Sequence, residues 1–268
     1  MELPMRNLFM LCFGLLSLAL SAQNNEGTIV YKQTVFMRRE VQANAPAGMD
    51  QNMIRNIPES SVTEFQLNFT PTTSFYKELA SKVDEEGGQP GGGGMRMMMR
   101  RFNPPVYRDL ASNRQVEEMD LFGKPFLVDD VMLTRAWKVT GQQKKVLDYP
   151  CISATFTDSL MGRARVVTAW FAPTIPVAIG PQNYGGLPGM ILEVEFDGGR
   201  SVVTASEVKF QKPAEGSIKV PEKGKKVSRA EYQKIQAEKM KEMRESGMFQ
   251  GRQGGGPGGP GTQIIIRN

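Results

Sequence analysis

Between Gly180 and Phe196 the chain reads GPQNYGGLPGMILEVEF, and this stretch limits the fold more than any other. Gly-Pro and Pro-Gly turns and a Gly-Gly pair run without a break into an alternating segment. Met190, Leu192, Val194 and Phe196 fall on one face of a strand, and Ile191, Glu193, Glu195 and Asp197 on the other. Gly186 and Gly189 bracket Leu187-Pro188. Glycine reaches positive φ without steric cost and proline presets φ, so a tight turn is predicted that aims the half-buried strand. The turn carries no acid, base or nucleophile and reads as architecture.

The motif Gly185, Gly186, Leu187, Pro188, Gly189, continued by Met190-Ile191, resembles the signature of the GLPGLI family of exported bacterial proteins, with Met190 where the signature has leucine. Trp137 in LTRAWKV, the run Lys144 to Cys151, Ala169-Trp170-Phe171 and Ile175-Pro176-Val177 extend the resemblance over nearly the whole predicted mature chain. The resemblance implies export and supplies no activity that can be carried to a residue.

Residues 1–22 place Arg6 before an apolar run from Leu8 to Leu20 that ends in Ser21-Ala22. The run is too short to span a bilayer, and it predicts a secretory signal cleaved near residue 22. The mature protein is expected in the periplasm or at the outer membrane, with no transmembrane segment. Only Cys151 remains after cleavage, so no internal disulfide can form. The absence of histidine removes the commonest general base and zinc ligand, which weakens most hydrolase readings. The net charge of +5 belongs to the tail: from Ser217 to Asn268 there are eleven Lys or Arg against five Glu. No nucleic-acid partner is expected, although the basic tail could meet an anionic surface peripherally.

Short alternating segments follow one another along residues 23–216: Gly27 to Arg38, Thr63 to Phe69, Thr73 to Glu78, Val106 to Leu110, Gln115 to Leu121, Leu133 to Val139, Arg163 to Phe171, Met190 to Phe196 and Ser201 to Phe210. Gly141 to Lys144 reads as a turn into Val146 to Tyr149, Asp129-Asp130 as a solvated turn, and Asp197-Gly198-Gly199 as a hairpin turn. The fold class expected is mainly β, an antiparallel, strongly curved sheet or partly open barrel with a C-terminal helix. That helix begins at Ser228-Arg229-Ala230-Glu231, a capping box, and runs to about Ser246 within a basic segment 217–268. Past it, Gly251 to Gly261 is a Gly/Pro tether, and Ile264-Ile265-Ile266 either donates a strand to a sheet edge or frays.

Residues 83–104 break the alternation with six glycines, four methionines and three arginines, and read as a mobile insertion. Met95, Met97, Met98 and Met99 are soft thioethers suited to cuprous copper, or simply adaptable apolar contacts. Trp137, Trp170 and Tyr184 could line an apolar groove or serve as core aromatics. Cys151, with Ile152, Ala154 and Phe156 continuing a strand, reads as structural. Glu193 and Glu195 share a face and could grip a cation, although a solvent-facing stripe explains them as well. The function expected is a non-catalytic exported envelope protein, a binding or accessory module for an apolar ligand or an outer-membrane partner. No catalytic residue and no cofactor are assigned. The competing readings are copper handling through the Met-rich insertion and an enzyme built on the carboxylates.

Overall fold

The computed structural model describes residues 25–44, 54–79, 103–160 and 163–246. Residues 1–22, read as a signal, Met95 and Met97 to Met99, residues 251–261, read as a tether, and Ile264 to Ile266 lie outside the described residues. The elements are β1 (Gly27–Val35), α1 (Met37–Asn44), β2 (Ser61–Phe69), β3 (Thr73–Glu78), β4 (Val106–Asp109), β5 (Arg114–Leu121) and β6 (Lys124–Val131). Then come β7 (Lys138–Val146), β8 (Tyr149–Leu160), β9 (Arg163–Ala172), β10 (Met190–Phe196), β11 (Ser201–Lys209), β12 (Lys225–Val227) and α2 (Arg229–Glu245).

All twelve strands form one sheet in the order β12-β6-β5-β4-β3-β2-β1-β11-β10-β9-β8-β7. Neighbours are antiparallel except β12, which lies parallel to β6 with Lys225 opposite Phe126. The order requires curvature. Ten strand spacings separate β6 from β7, about 48 Å in a flat sheet. Residues 132–137, which join them, reach at most about 25 Å. The sheet therefore curls until its two ends approach, and it stops short of closure, leaving β12 and β7 as edges.

The inner face is set by alternation. Tyr31 pairs with Phe65, Leu67 with Tyr76, and Val194 with Val203, so these side chains share one side of the sheet. The connection between β9 and β10, residues 173–189, folds back onto that side. Its Ile175, Val177, Ile179, Tyr184 and Leu187 belong to the same buried cluster as Ile29, Tyr31, Phe65, Leu67 and Tyr76. The hollow of the curve, which in a lipid-carrier barrel would be a cavity, is filled by the chain's own Pro/Gly-rich segment.

Helix α2 covers the far end of the sheet through Tyr232, whose ring meets Phe126 edge-on at 5.6 Å. Its start matches the capping box: Ser228 accepts from the Glu231 amide and Glu231 accepts from the Ser228 amide at 2.7 Å. Beyond the cap, Arg229 forms an ion pair with buried Glu117 at 2.8 Å.

Four local expectations are corrected. The first strand ends at Val35, and Met37 onward is helix α1. Leu133 to Trp137 has no strand geometry, because it is the connection stretched across the gap. Strand β7 runs through Gly141 with a shifted register between Val139 and Gln143, and the turn falls at Leu147-Asp148, where Leu147 has φ 53°. Asp129 and Asp130 lie inside β6 rather than in a turn, because each has a partner there. Asp129 holds Arg114 and Lys226, and Asp130 accepts from the Arg229 amide at 2.9 Å.

Candidate functional site

The GLPG turn is fastened from three directions. Trp137 Nε1 donates to the Gly185 carbonyl at 3.0 Å. Gly186 donates to the Ala178 carbonyl at 3.0 Å with φ +83°, and Leu187 is buried while Pro188 is exposed. Gly189 has φ +150°, and a Cβ there would collide with the Ala172 carbonyl oxygen and approach the Pro173 Cα at 2.9 Å. Only glycine combines that φ with so close a neighbour. The next residues close the turn, with Met190 donating to the Ile175 carbonyl and Ile191 to the Ile179 carbonyl.

Two arginines hold the rest of the segment. Arg108 on β4, 2% exposed, donates to the carbonyls of Gly180 (3.3 Å) and Gln182 and to Gln115 Oε1 (3.2 Å). Burial, helped by the nearby Arg135 charge, lowers its pKa to about 10, which leaves it charged at neutral pH. Gln115 passes the interaction to Glu117 at 2.7 Å, and Glu117 continues it to Arg229. Arg135 donates to the carbonyl and Oδ1 of Asn183, both at 2.7 Å, and stacks 4.5 Å from the Tyr184 ring centre. Tyr31 donates to the Ile191 carbonyl at 2.7 Å.

Trp137 and Tyr184 come together, with ring centres 6.4 Å apart and Phe156 at 4.6 Å from Trp137. Their surroundings are polar at the rim. Arg165 donates to the Tyr184 hydroxyl at 3.2 Å and to Asp158 at 2.8 Å, and burial pushes the Tyr184 phenol up to about 12. Trp170 does not join them. Val167 lies opposite Phe196 and Phe156, so Trp170, three residues on, projects from the other face of the sheet.

On that other face Trp170 belongs to an ion cluster. Lys144 of β7 reaches across β8 and β9 to Glu193 and to Glu195 (3.0 Å), with its ammonium 4.2 Å from the Trp170 ring centre. Trp170 Nε1 donates to Glu195 at 2.7 Å, and Thr204 Oγ1 donates to Glu193 at 2.9 Å. The carboxylates do converge, onto the chain's own lysine. Glu193 is 8% exposed, which corrects the solvent-facing stripe. Burial raises the Glu193 pKa; at Glu195 burial acts the same way but is outweighed by hydrogen bonds from Lys144 and Trp170, and its pKa is lowered. Cys151 pairs with Lys144 across the β7–β8 ladder and is buried. Burial pushes its thiol up to about 11, the opposite of what a nucleophile requires. Among the described residues no group of three or more Cys, Asp or Glu is placed to hold a metal ion.

Among the described residues an open cleft of about 620 Å³ lies at the gap in the curled sheet. One wall is Leu133 to Ala136, the other Thr155 to Asp158 of β8, with Lys138 and Val166 at the margin. Val166 is 50% exposed. The sequence signalled this site only indirectly, through Trp137, because the cleft is made by two segments whose meeting depends on the curl of the sheet.

A family model described as a protein of unknown function (Porph_ging) matches residues 158–193, the stretch that holds Trp170, Tyr184, the GLPG turn and Glu193. No curated protein matches the chain. Among solved structures, PNGF-II in space group P21 aligns with a TM-score of 0.48 at 15% identity, and PNGF-II in space group C2 with 0.49 at 14%. Each alignment covers 79% of this chain and 33% of the other, so the chain spans about a third of the length of these structures. No helix among the described residues is long and apolar enough to cross a membrane.

Proposed function

We propose that this chain is a GLPGLI-family protein, exported and cleaved near residue 22, that works in the periplasm or at the outer membrane as a non-catalytic binding or accessory module. The cleft between Leu133–Ala136 and β8 is its docking site for an outer-membrane partner or apolar ligand. The observation that carries this reading is the placement of the two candidate regions. The carboxylate pair is occupied by Lys144, Thr204 and Trp170, whereas the cleft is open, of a size usual for ligand sites, and walled by Phe156 and Val166 with a basic rim of Arg135 and Lys138. The GLPG segment serves this site by filling the hollow of the sheet and anchoring Trp137 and Arg135 at the cleft's inner end.

Native mass spectrometry of the protein recovered from its own envelope tests the proposal. A co-purifying partner or lipid that is lost on Val166→Glu, with the melting temperature unchanged, is expected. Recovery of the protein with the same composition before and after Val166→Glu overturns the assignment of the cleft.

A further inference from the structure

The ladder at the cleft is incomplete in a specific way. The β7–β8 pairing begins at Lys138 opposite Thr155, and beyond it β8 continues to Leu160 paired with β9 on one side and with no strand on the other among the described residues. The direction of its backbone groups follows from β9. Val166, opposite Thr157, donates its amide to Asp197 Oδ1 at 3.0 Å and accepts from the Asp197 amide at 2.9 Å, so it turns away from β8. In an antiparallel ladder Thr157 is then in a non-hydrogen-bonded pair, and its own N–H and C=O point outward into the cleft. Two residues on, the Ser159 amide is capped locally by Asp158 Oδ1 at 2.7 Å. Thr157 is thus the open rung of the edge.

The edge strand β7 is defended by Lys138, Lys144, Lys145 and a register shift at Gly141, devices that discourage strand addition. The Thr157 rung lacks such protection. It also has apolar side chains on both faces of the sheet, Phe156 on one and Val166, opposite Thr157, on the other, and Leu133 lines the same cleft. A strand added here would be covered on both faces, and such strands read as continuous β-branched runs rather than alternating ones.

We infer that residues 263–268 of this same chain, GlnIleIleIleArgAsn, dock in the cleft as a strand against Thr157, with Ile264 and Ile266 on one face and Ile265 on the other. The segment follows α2 after residues 247–262, which span about 20–25 Å as a random tether and about 55 Å at full extension. Helix α2 is 17 residues, about 25 Å, and its first turn is tied to Glu117, which leads through Gln115 and Arg108 to the Gln182-Asn183 segment that Arg135 in the cleft wall holds. The tether therefore suffices to return the segment to the cleft. Tethering raises its local concentration to the order of millimolar, enough for a short strand whose affinity in free solution is weak. This inference rests on the cleft being a docking site and names its resident occupant, which an external partner would displace.

Amide hydrogen exchange at Thr157, measured on the purified protein without any partner, tests it separately from the envelope experiment. The Thr157 amide is expected to exchange about tenfold more slowly in the full chain than in a chain ending at Ser246. Replacing Ile264, Ile265 and Ile266 by Ser in the full chain is expected to abolish the difference, and adding the synthetic peptide TQIIIRN to the shortened chain to restore it. Thr157→Pro removes an outward donor at a position where an edge strand accepts proline, so its melting temperature should match that of the shortened chain, and the two changes together should cost no more than one. Equal exchange in the full and shortened chains overturns the inference. Protection that appears only with increasing protein concentration, together with a dimer mass, overturns docking within one chain in favour of exchange between copies.

Discussion

The Lys144 ammonium lies 4.2 Å from the ring centre of Trp170, two strands away, clamped there by Glu193 and Glu195. This contact straps the edge strand β7 to the face of β9 and β10. Lys144→Met leaves two carboxylates in a half-buried site with no counter-charge, a loss of about 1–2 kcal/mol after allowance for the solvent that reaches the ammonium. The pH dependence has a definite sign. Burial holds the Glu193 pKa above its ordinary value of 4.5, so the penalty for its charge grows as pH rises through the folded value and disappears below about 4.5. The melting-temperature difference between Lys144→Met and the native chain should shrink as pH falls from 7 toward 4.5, leaving the part carried by Glu195, whose pKa is lowered, to disappear below that.

Gly189 and Gly186 both have positive φ, yet their substitution should differ greatly. At Gly186 an added Cβ meets nothing within 4 Å, so Gly186→Ala costs only the backbone strain, about 1 kcal/mol. At Gly189 the same methyl strikes the Ala172 and Pro173 backbone, where the connection 173–189, the plug of the sheet's hollow, leaves β9. Gly189→Val is expected to prevent folding, and Gly186→Ala to give a cooperative melt a few degrees lower. Equal melting temperatures for Gly189→Val and the native chain would remove the turn from its structural role.

Arg108 is a fully buried cation whose fork spans two carbonyls of the plug and Gln115. A lysine keeps the charge but cannot present donors in that planar arrangement. Arg108→Lys should cost about 2–4 kcal/mol in urea unfolding. It should also loosen Gly180 to Tyr184, making that segment the first site of limited proteolysis.

Asp129 joins β12 to the sheet through Lys226 at 2.7 Å, while Arg114 binds it through both carboxylate oxygens at 2.8 and 2.7 Å. The Arg114 hydrogen bonds, with Lys226 after them, outweigh burial and hold its pKa at about 2. A depressed carboxylate pKa contributes stability above the unfolded value of about 3.9 that is lost as pH falls through about 2. Asp129→Asn should therefore destabilise by about 1–2 kcal/mol at pH 7, with the difference vanishing between pH 4 and 2. Both differences shrink as pH falls, the Lys144→Met one chiefly above about 4.5 and the Asp129→Asn one between pH 4 and 2, and chemical denaturation across the two windows separates them.

The strands that cover a core on one side were legible, because alternation in Thr63 to Phe69 records which face is buried, whereas Met190 to Phe196, which alternates as a half-buried strand would, is buried on both faces through Ile191 and Glu193. Strand β7 was misplaced because an exposed edge strand, reading KVTGQQKKV, carries no such record, and Gly141 in its middle imitates a turn. β12 is three residues long and joins β6 across nearly a hundred residues of sequence, a pairing that local pattern cannot supply. Within the site, the shared face of Glu193 and Glu195 was readable, but their partner was not. Lys144 is brought to them only by the β7–β8–β9–β10 order. Trp170 was separated from Trp137 and Tyr184 by strand parity that a list of aromatics does not contain, and Arg108, inside a short apolar strand, gave no sign that it would be buried.

In the proposed function the carboxylate cluster is architecture and the cleft at Thr157 and Val166 is the docking site. The most direct measurement is capture of the envelope partner or lipid by the triple variant Lys144→Met, Glu193→Gln, Glu195→Gln, read by native mass spectrometry beside a thermal melt. Replacing all the charges of a buried cluster together leaves no orphaned ion, so its stability should stay within about 1 kcal/mol of the native chain. Capture retained by the triple variant, and lost in Val166→Glu, is the result this account predicts. Capture lost in a triple variant that melts normally would contradict it and make the Glu193–Glu195 pair the working site.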